Sequence, residues 1–374
     1  MKTDIKSMLP QELKDYFEAA GEKAFRAEQV FRWLHNPVIS NADAPDSADN
    51  SIDTPIRRVS PFSSMSNLPV KLREKLDDDF YIKPPAPAGK QVSAIDGTIK
   101  YLMRMYDGNA VESIVMAYDY GHTACISSQV GCRMNCTFCA SAPGGLVRNL
   151  SASEMEDQVS FAQRDTGRRI SNVVLMGIGE PLDNFENVLR FLRLISHKSG
   201  MNIGARRITL STCGITENID KLAEYDIKLT LSVSLHAADD ETRSRLMPVN
   251  RTIGVDNLIR TCEEYFRITG RRVTYEYAMI RDVNDTRGHA HLLAGKLKRT
   301  GSHVNLIPLS SVPGNPMQAS SRESINEFAG ILKQSNVNYT IRRKLGSDIE
   351  ASCGQLRRKI DSSGSVDSGL QLQR

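Results

Sequence analysis

The sequence predicts an α/β fold, with parallel strands alternating with helices behind a small helical N-terminal module. Three observations carry that prediction. From residue 123 short β-rich runs alternate with helical periods, polar residues gather at the C-terminal ends of those runs, and residues 11 to 35 hold two short amphipathic helical periods. Repeated strand-then-helix units imply right-handed crossovers between parallel strands, which build a full barrel, a partial barrel or an open sheet.

The elements follow in order. "QELKDYFEAA", ended by Gly21, and "RAEQVFRWLH" read as helices whose Leu13, Phe17, Val30 and Trp33 share a small core. Residues 36 to 60 have no apolar period and are rich in Pro, Ser, Asp and Asn, which predicts a flexible loop. "LPVKLREKL" at 68 to 76 is again helical. Beyond residue 123 the strand runs are "NVVLMGIG", "RITLSTCG", "IKLTLSVSLHA", "VTYEYAMI", "HVNLIPLS" and "YTIRRK". Between them lie the helical periods "FENVLRFLRLI", "ENIDKLAEY", "VDNLIRTCEEYF", "HLLAGKLK" and "SINEFAGILK". Gly179-Glu180, Ser211-Thr212, Ser234 to His236, and Ser310 end strand runs, and in a barrel that rim is where sites are built. The tail from 361, "DSSGSVDSGLQLQR", predicts disorder.

Composition narrows the class. The 374 residues, 40% of them apolar, suit an enzyme-sized globular chain. "MKTDIKSMLPQELKDYF" has no apolar run long enough for a secretory signal, and no stretch of 18 apolar residues occurs, so a cytoplasmic protein without membrane association is expected. Net charge is only +4, yet cations pair up at Arg168-Arg169, Arg206-Arg207, Arg271-Arg272, Arg342-Arg343-Lys344 and Arg357-Arg358-Lys359. Such runs suit either solvated faces or contact with a polyanion.

Seven cysteines are odd in number and sparse, which argues against a disulfide framework and for metal-binding or catalytic thiols. Three of them crowd into "SSQVGCRMNCTFCAS" as Cys132, Cys136 and Cys139. Structural zinc asks for four closed ligands, and only Cys125 stands near enough in sequence to complete the set. A cubane 4Fe-4S cluster held by three thiolates leaves one iron open to a further ligand. Cys213 and Cys262 read as small buried hydrophobes.

The Cys-x3-Cys-x2-Cys spacing, with Phe138 before the last cysteine, resembles that of the radical S-adenosylmethionine superfamily, and "MGIGEP" at 176 to 181 resembles its segment near the cofactor's amino group. "CISSQVGCRMNCTFCA", "RNLSASEM", "MGIGEPLDN", "ITLSTCG", "LSVSLHA", "VNLIPL" and "GSDIEASCGQL" narrow the resemblance to the RlmN and Cfr type of RNA adenine methyltransferase. It runs from about residue 100 to 360, and "AFRAEQVFRWLH" and "MSNLPVKLREKL" agree within the N-terminal module.

The resemblance implies a partial (βα) barrel over residues 96 to 347. An RNA-binding helical domain over 1 to 95 would precede it, and a C-terminal segment, 348 to 374, would follow. It implies that Cys132, Cys136 and Cys139 hold a 4Fe-4S cluster, and that Gly179, Glu180, Ser211, Ser234, Leu235, His236 and Ser310 line S-adenosylmethionine. Cys353 would carry a methyl group, Cys125 would resolve the adduct through a disulfide, and Glu112 would accept a proton. Two S-adenosylmethionine molecules would serve each turnover, one as methyl donor and one as radical source. The implied partners are ribosomal RNA, transfer RNA and an electron donor such as flavodoxin or ferredoxin, with the enzyme a monomer.

The implied target is carbon 2 of an adenosine in the peptidyl transferase centre, with carbon 8 of the same base as the alternative, since both branches share these motifs. Two further rivals are a radical enzyme acting on a non-RNA substrate and a zinc-stabilised RNA-binding protein. The chain departs from the family pattern at Ser310, where an Asn is usual, at Cys213, where a Ser is usual, and in the length of the 36 to 60 segment.

Overall fold

Apolar runs bounded by glycine and polar residues become strands because their period and length suit a sheet buried on both faces. The computed structural model describes residues 2–36, 62–225 and 227–356. The expected loop at 36 to 60, beyond Asn36, and the expected disordered tail from 361 lie outside the described residues.

The strands are β1 (Thr3–Asp4), β2 (Phe80–Tyr81), β3 (Ala86–Val92), β4 (Ile99–Arg104), β5 (Ala110–Tyr118), β6 (Gly121–Cys125), β7 (Gln129–Gly131), β8 (Leu146–Asn149), β9 (Ile170–Leu175), β10 (Ile208–Thr212), β11 (Thr230–Ser234), β12 (Thr274–Met279), β13 (His303–Pro308) and β14 (Asn338–Ile341). The main sheet runs β14-β13-β12-β11-β10-β9-β6-β5-β4-β3. From β6 through β14 every pairing is parallel, whereas β3, β4 and β5 add on antiparallel.

That order never reverses, so right-handed crossovers leave all the helices on one side and the sheet curls to bury its other face. No ladder joins β14 to β3 or β6 among the described residues. The result is the expected partial barrel. The hairpin β3–β4 straddles residue 95, so the sheet itself starts at Ala86.

Periodicity locates the helices. "FENVLRFLRLI" becomes the helix Phe185–Ser196, burying Val188, Leu189, Phe191, Leu192, Leu194 and Ile195. In the N-terminal module Pro10 opens the helix Pro10–Ala19 at the position where a missing N–H costs nothing, and Glu12 accepts the Leu9 N–H at 2.6 Å. Its Leu13 and Phe17 are buried with Val30 and Phe31 of the helix Phe25–His35, while Trp33 packs at the edge.

The module is stitched to the barrel by buried charge. The helix Ala152–Thr166 presents Glu156 to His35 Nδ1 at 2.6 Å and Asp157 to Lys6. Burial alone would push Asp157 up and Lys6 down. Lys6 nevertheless sits above its ordinary value because Asp157 and Glu156 face it. Removing one partner of such a pair strands a buried charge, at a cost of about 3–5 kcal/mol.

Candidate active site

The cysteine loop leaves the short hairpin β7–β8, which turns the chain sharply at Gly131. Its φ is +76°, and a Cβ there would lie 2.0 Å from the Gly145 carbonyl oxygen. Three distant segments then hold the loop. Thr137 N–H donates to Leu246 O at 2.9 Å, Asn315 Nδ2 to Thr137 O at 2.6 Å, and Ala140 N–H to Gly354 O at 2.8 Å. Ser141 Oγ donates to Leu356 O at 2.7 Å. The last two bonds bring Cys353, one residue before Gly354, beside the loop.

Cys132, Cys136, Cys139, Gly179, Glu180, Ser211, Ser234, His236, Ser310 and Cys353 all line one cavity at the C-terminal ends of the parallel strands. Its space, counting the open mouth, is about 1010 Å³. Burial pushes the Cys132 thiol up to about 12, and the Cys136 thiol rises for the same reason, so both carry protons until a metal displaces them.

Gly179 has φ +109°, and a Cβ there would meet the Gln129 side chain at 2.6 Å, so only glycine lets this segment close on β7. Glu180, next to it, accepts the Leu182 N–H at 3.0 Å and the Cys213 N–H at 2.7 Å, while burial raises its carboxyl. His236 stands at φ +57°. Its Nδ1 accepts the Ala278 N–H at 2.9 Å, which leaves Nε2 as the donor, and its ring meets the Phe138 edge at 4.8 Å. Burial, then the Arg243 charge, lowers its pKa to about 3, so the ring is neutral.

Three expected residues lie outside the cavity wall. Leu235 is fully buried in the core rather than facing a cofactor, and contributes its carbonyl to the framework. Cys125 is buried on β6, paired with Ile114 of β5. Its thiol is pushed up to about 12 by burial and then by Cys353, which brings the two sulfurs into one electrostatic neighbourhood. Glu112, buried on β5, lies 3.7 Å from Lys100 Nζ, and that amine also reaches the Glu350 carbonyl at 3.4 Å, three residues before Cys353.

Cys353 itself is exposed to the cavity yet deep enough that burial raises its thiol, against the opposing charge of Arg342. All the cysteines are unpaired.

Sequence reasoning missed two polar residues. Arg243 is fully buried and donates only to neutral acceptors. It bonds Leu235 O at 3.0 Å, Ser234 O at 3.0 Å, Cys213 O at 2.7 Å and Asn250 Oδ1 at 2.7 Å. It therefore fixes the ends of β10 and β11 where the site residues stand. Glu276, on β12, turns Oε1 to Ser232 Oγ at 2.6 Å and Asn305 Nδ2 at 2.9 Å, while its buried Oε2 has no hydrogen-bond partner. The signal was a glutamate inside "VTYEYAMI", a strand buried along its whole length. Cys213 is buried as expected but also forms part of the cavity wall.

The cavity's lining fits the implied cofactors, since Cys132, Cys136 and Cys139 face one space. Among the described residues no three acidic, histidine or cysteine side chains converge as a single metal ion requires. Three thiolates on three different irons of a cubane need no such point. Glu276 Oε2 is a buried acceptor awaiting a donor, as a hydroxyl-bearing cofactor would supply.

Comparison with known proteins agrees. Residues 126–293 match the sequence profile of the radical SAM superfamily, and residues 3–45 that of the ribosomal RNA large subunit methyltransferase N-terminal domain. The chain is 44% identical to the "Probable dual-specificity RNA methyltransferase RlmN" of Lachnoclostridium phytofermentans, over 96% of this chain and 95% of that one. It is 45% identical to the protein of the same name from Alkaliphilus oremlandii, over 96% and 98%. The crystal structure of a radical SAM methyltransferase from Sphaerobacter thermophilus superposes with a TM-score of 0.83 at 40% identity, covering 95% of this chain and 99% of that one. The chain belongs to the radical S-adenosylmethionine superfamily and, within it, to the RlmN family of RNA methyltransferases.

Proposed function

We propose that this enzyme methylates carbon 2 of an adenosine in the peptidyl transferase centre of large-subunit ribosomal RNA and, as a second substrate, an anticodon-loop adenosine of transfer RNA. One juxtaposition carries the reading: Cys353 is held beside the three-cysteine loop through the Gly354 carbonyl and faces the same cavity. A thiol in that position suits a methyl carrier. The relatives' shared name, with its dual specificity, supports the RlmN branch over carbon 8 chemistry and supports two RNA substrates.

Carbon 2 of adenine lies between two electron-withdrawing nitrogens and does not attack an electrophilic methyl, so a polar transfer fails there. Cys132, Cys136 and Cys139 would hold a 4Fe-4S cluster that with S-adenosylmethionine would supply a 5'-deoxyadenosyl radical, and a second S-adenosylmethionine would supply the methyl group. Glu180, Ser211, Ser234, His236 and Ser310 are the polar groups available to hold that cofactor.

The Cys353 thiol accepts the methyl on sulfur and loses its proton, leaving S-adenosylhomocysteine. The 5'-deoxyadenosyl radical would take one hydrogen atom from that methyl to become 5'-deoxyadenosine. The carbon so activated would bond to carbon 2 as a thioether, the adduct giving up its unpaired electron to the oxidised electron carrier. Glu112, which lies 3.7 Å from Lys100 Nζ, takes the ring proton. The Cys125 thiolate attacks the Cys353 sulfur. The carbon–sulfur bond breaks, its electron pair stays on carbon, which takes a proton to become methyl, and a disulfide remains. Arg342 offsets part of the burial that opposes ionisation of both thiols. The cluster's electron comes from a flavodoxin or ferredoxin. The enzyme acts as a monomer in the cytoplasm, where its RNA is.

Two measurements on one reaction test this. Nucleoside analysis after incubation with a ribosomal RNA fragment should show 2-methyladenosine; 8-methyladenosine alone, or no methylated base, overturns the assignment. With Cys125→Ala the RNA should stay bonded to protein and migrate as a crosslink, and Cys353→Ala should give none. Free methylated RNA from either variant rules the two-thiol route out.

No helix among the described residues is long and apolar enough to cross a membrane.

A further inference from the structure

Among the described residues the barrel is not hydrogen-bonded shut, and a second groove occupies its open side. Met116 and Tyr118 of β5 face Pro308 of β13 and the residues following β14 across it, and Cys353 lies in the wall of both this groove and the main cavity. Cys353 therefore has two approaches. One comes from the chamber that holds the cluster cysteines, the other from the groove.

The groove's chemistry differs from the chamber's. Arg342, Arg343 and Lys344 lie along it in succession. Neither guanidinium has a carboxylate within 4.0 Å among the described residues, and Lys344 Nζ donates to the Leu309 carbonyl at 2.7 Å. At its edge Tyr118 stacks on Tyr120 with ring centroids 4.9 Å apart and planes only 7° from parallel. Tyr120 keeps 67% of its surface exposed, so its outer face is free to stack against another ring. An exposed aromatic slab beside the exposed Arg343 guanidinium, which has no carboxylate within ion-pair distance among the described residues, is the combination that holds single-stranded nucleic acid, through base stacking and phosphate contact.

We propose that this groove is the subsite for a nucleotide flanking the target adenosine, its base stacked on Tyr120 and its phosphate held by Arg343 and Lys344. The inference rests on the RNA-methylating function proposed above and adds a location for the strand. The base to be modified must leave its stack to reach Cys353. The neighbour it abandons loses a stacking partner, and the tyrosine pair supplies a replacement on the side of Cys353 away from the cluster loop. The chamber is thereby left to the cofactors.

The test uses the intact protein and an RNA hairpin carrying the fluorescent adenine analogue 2-aminopurine next to the loop adenosine. Wild-type protein should bind the hairpin and quench the probe. Tyr120→Ala should weaken binding about tenfold and lose the quench, since stacking on an aromatic side chain is worth about that much. Tyr120→Phe should restore both, because the stacking face rather than the hydroxyl is what acts. Arg343→Ala should weaken binding without touching the quench and should flatten the dependence of log affinity on log salt by about 0.7, the value for one phosphate contact on a single strand. Tyr120 is exposed, so its replacement leaves the fold intact, and circular dichroism confirms that.

Unchanged affinity and quenching in Tyr120→Ala, beside a wild type that binds, would overturn the platform alone. Failure of wild-type protein to bind the hairpin would overturn the platform and the RNA-methylating reading together.

Discussion

His236 offers a quantitative check on the architecture of the cavity. The ring is buried, its Nδ1 is occupied by the Ala278 N–H, and its pKa falls from the ordinary 6.5 to about 3, burial being the larger cause and Arg243 the smaller. The native state holds the neutral ring, whereas the unfolded chain binds a proton below about 6.5. The stability this contributes is fully present above pH 6.5 and is lost as pH falls from 6.5 toward 3. Each pH unit in that window costs about 1.4 kcal/mol, so at pH 4.5 the wild type has lost roughly 3 kcal/mol through this one group.

His236→Asn isolates the effect. Asparagine tolerates the positive φ and offers its Oδ1 to the Ala278 N–H, but it does not titrate. Urea unfolding followed by circular dichroism, on both proteins without iron, gives the stability gap between them. That gap should shrink by roughly 3 kcal/mol in the variant's favour between pH 7.5 and pH 4.5. A gap that stayed constant, or widened in the wild type's favour in acid, would refute the buried neutral histidine.

Replacing Cys132, Cys136 or Cys139 by Ala should abolish iron incorporation, and retained cluster absorbance in any one of them contradicts the ligand set. Glu276→Gln turns the unpartnered Oε2 into a donor at nearly constant shape and should weaken S-adenosylmethionine binding about tenfold by equilibrium dialysis; equal affinity removes Glu276 from the cofactor site. Ser310→Asn lengthens a polar side chain shared by the cavity and the groove, so affinity for the cofactor should rise about threefold or more, and an unchanged or lower affinity shows that no contact was missing.

What could be read from the sequence was local. The helix Phe185–Ser196 and the strands from β9 to β14 were visible because each is a single periodic run with clear borders. The cysteine loop was visible because its three ligands lie within eight residues. β3, β4 and β5 were not assigned: "APAGKQV" in β3 is half-exposed and carries Pro and Gly, so neither strand period nor length marks it. Arg243 was hidden for a different reason. Its acceptors at Cys213, Ser234 and Leu235 are brought to it only by the pairing of β10 with β11. Glu276 left one local signal, a glutamate inside the apolar run "VTYEYAMI", but its partners Ser232 and Asn305 come from the neighbouring strands β11 and β13 and only the pairing of β12 with them shows what it faces.

The position of Cys353 ties catalysis to the closure of the fold. Residues 346–356 carry it, and they are anchored at both ends by groups far away in sequence. Gly346 N–H donates to Asp96 Oδ2 at 2.8 Å, Asp348 accepts from Ser93 Oγ at 2.7 Å, and Gln355 Nε2 donates to Ser311 O at 2.8 Å. Their bonds to Ala140 and Ser141 then reach the cluster loop itself. Each is worth only about 1 kcal/mol, but they act on one short segment, so the Cys353 thiol, proposed above as the methyl carrier, and the three-cysteine loop share a single geometry. A carrier on a free tail would sample the barrel's open side at random. Anchored here, Cys353 meets the main cavity on one face and the basic groove on the other, which is the arrangement that the proposed transfer from one site to a base arriving from another needs.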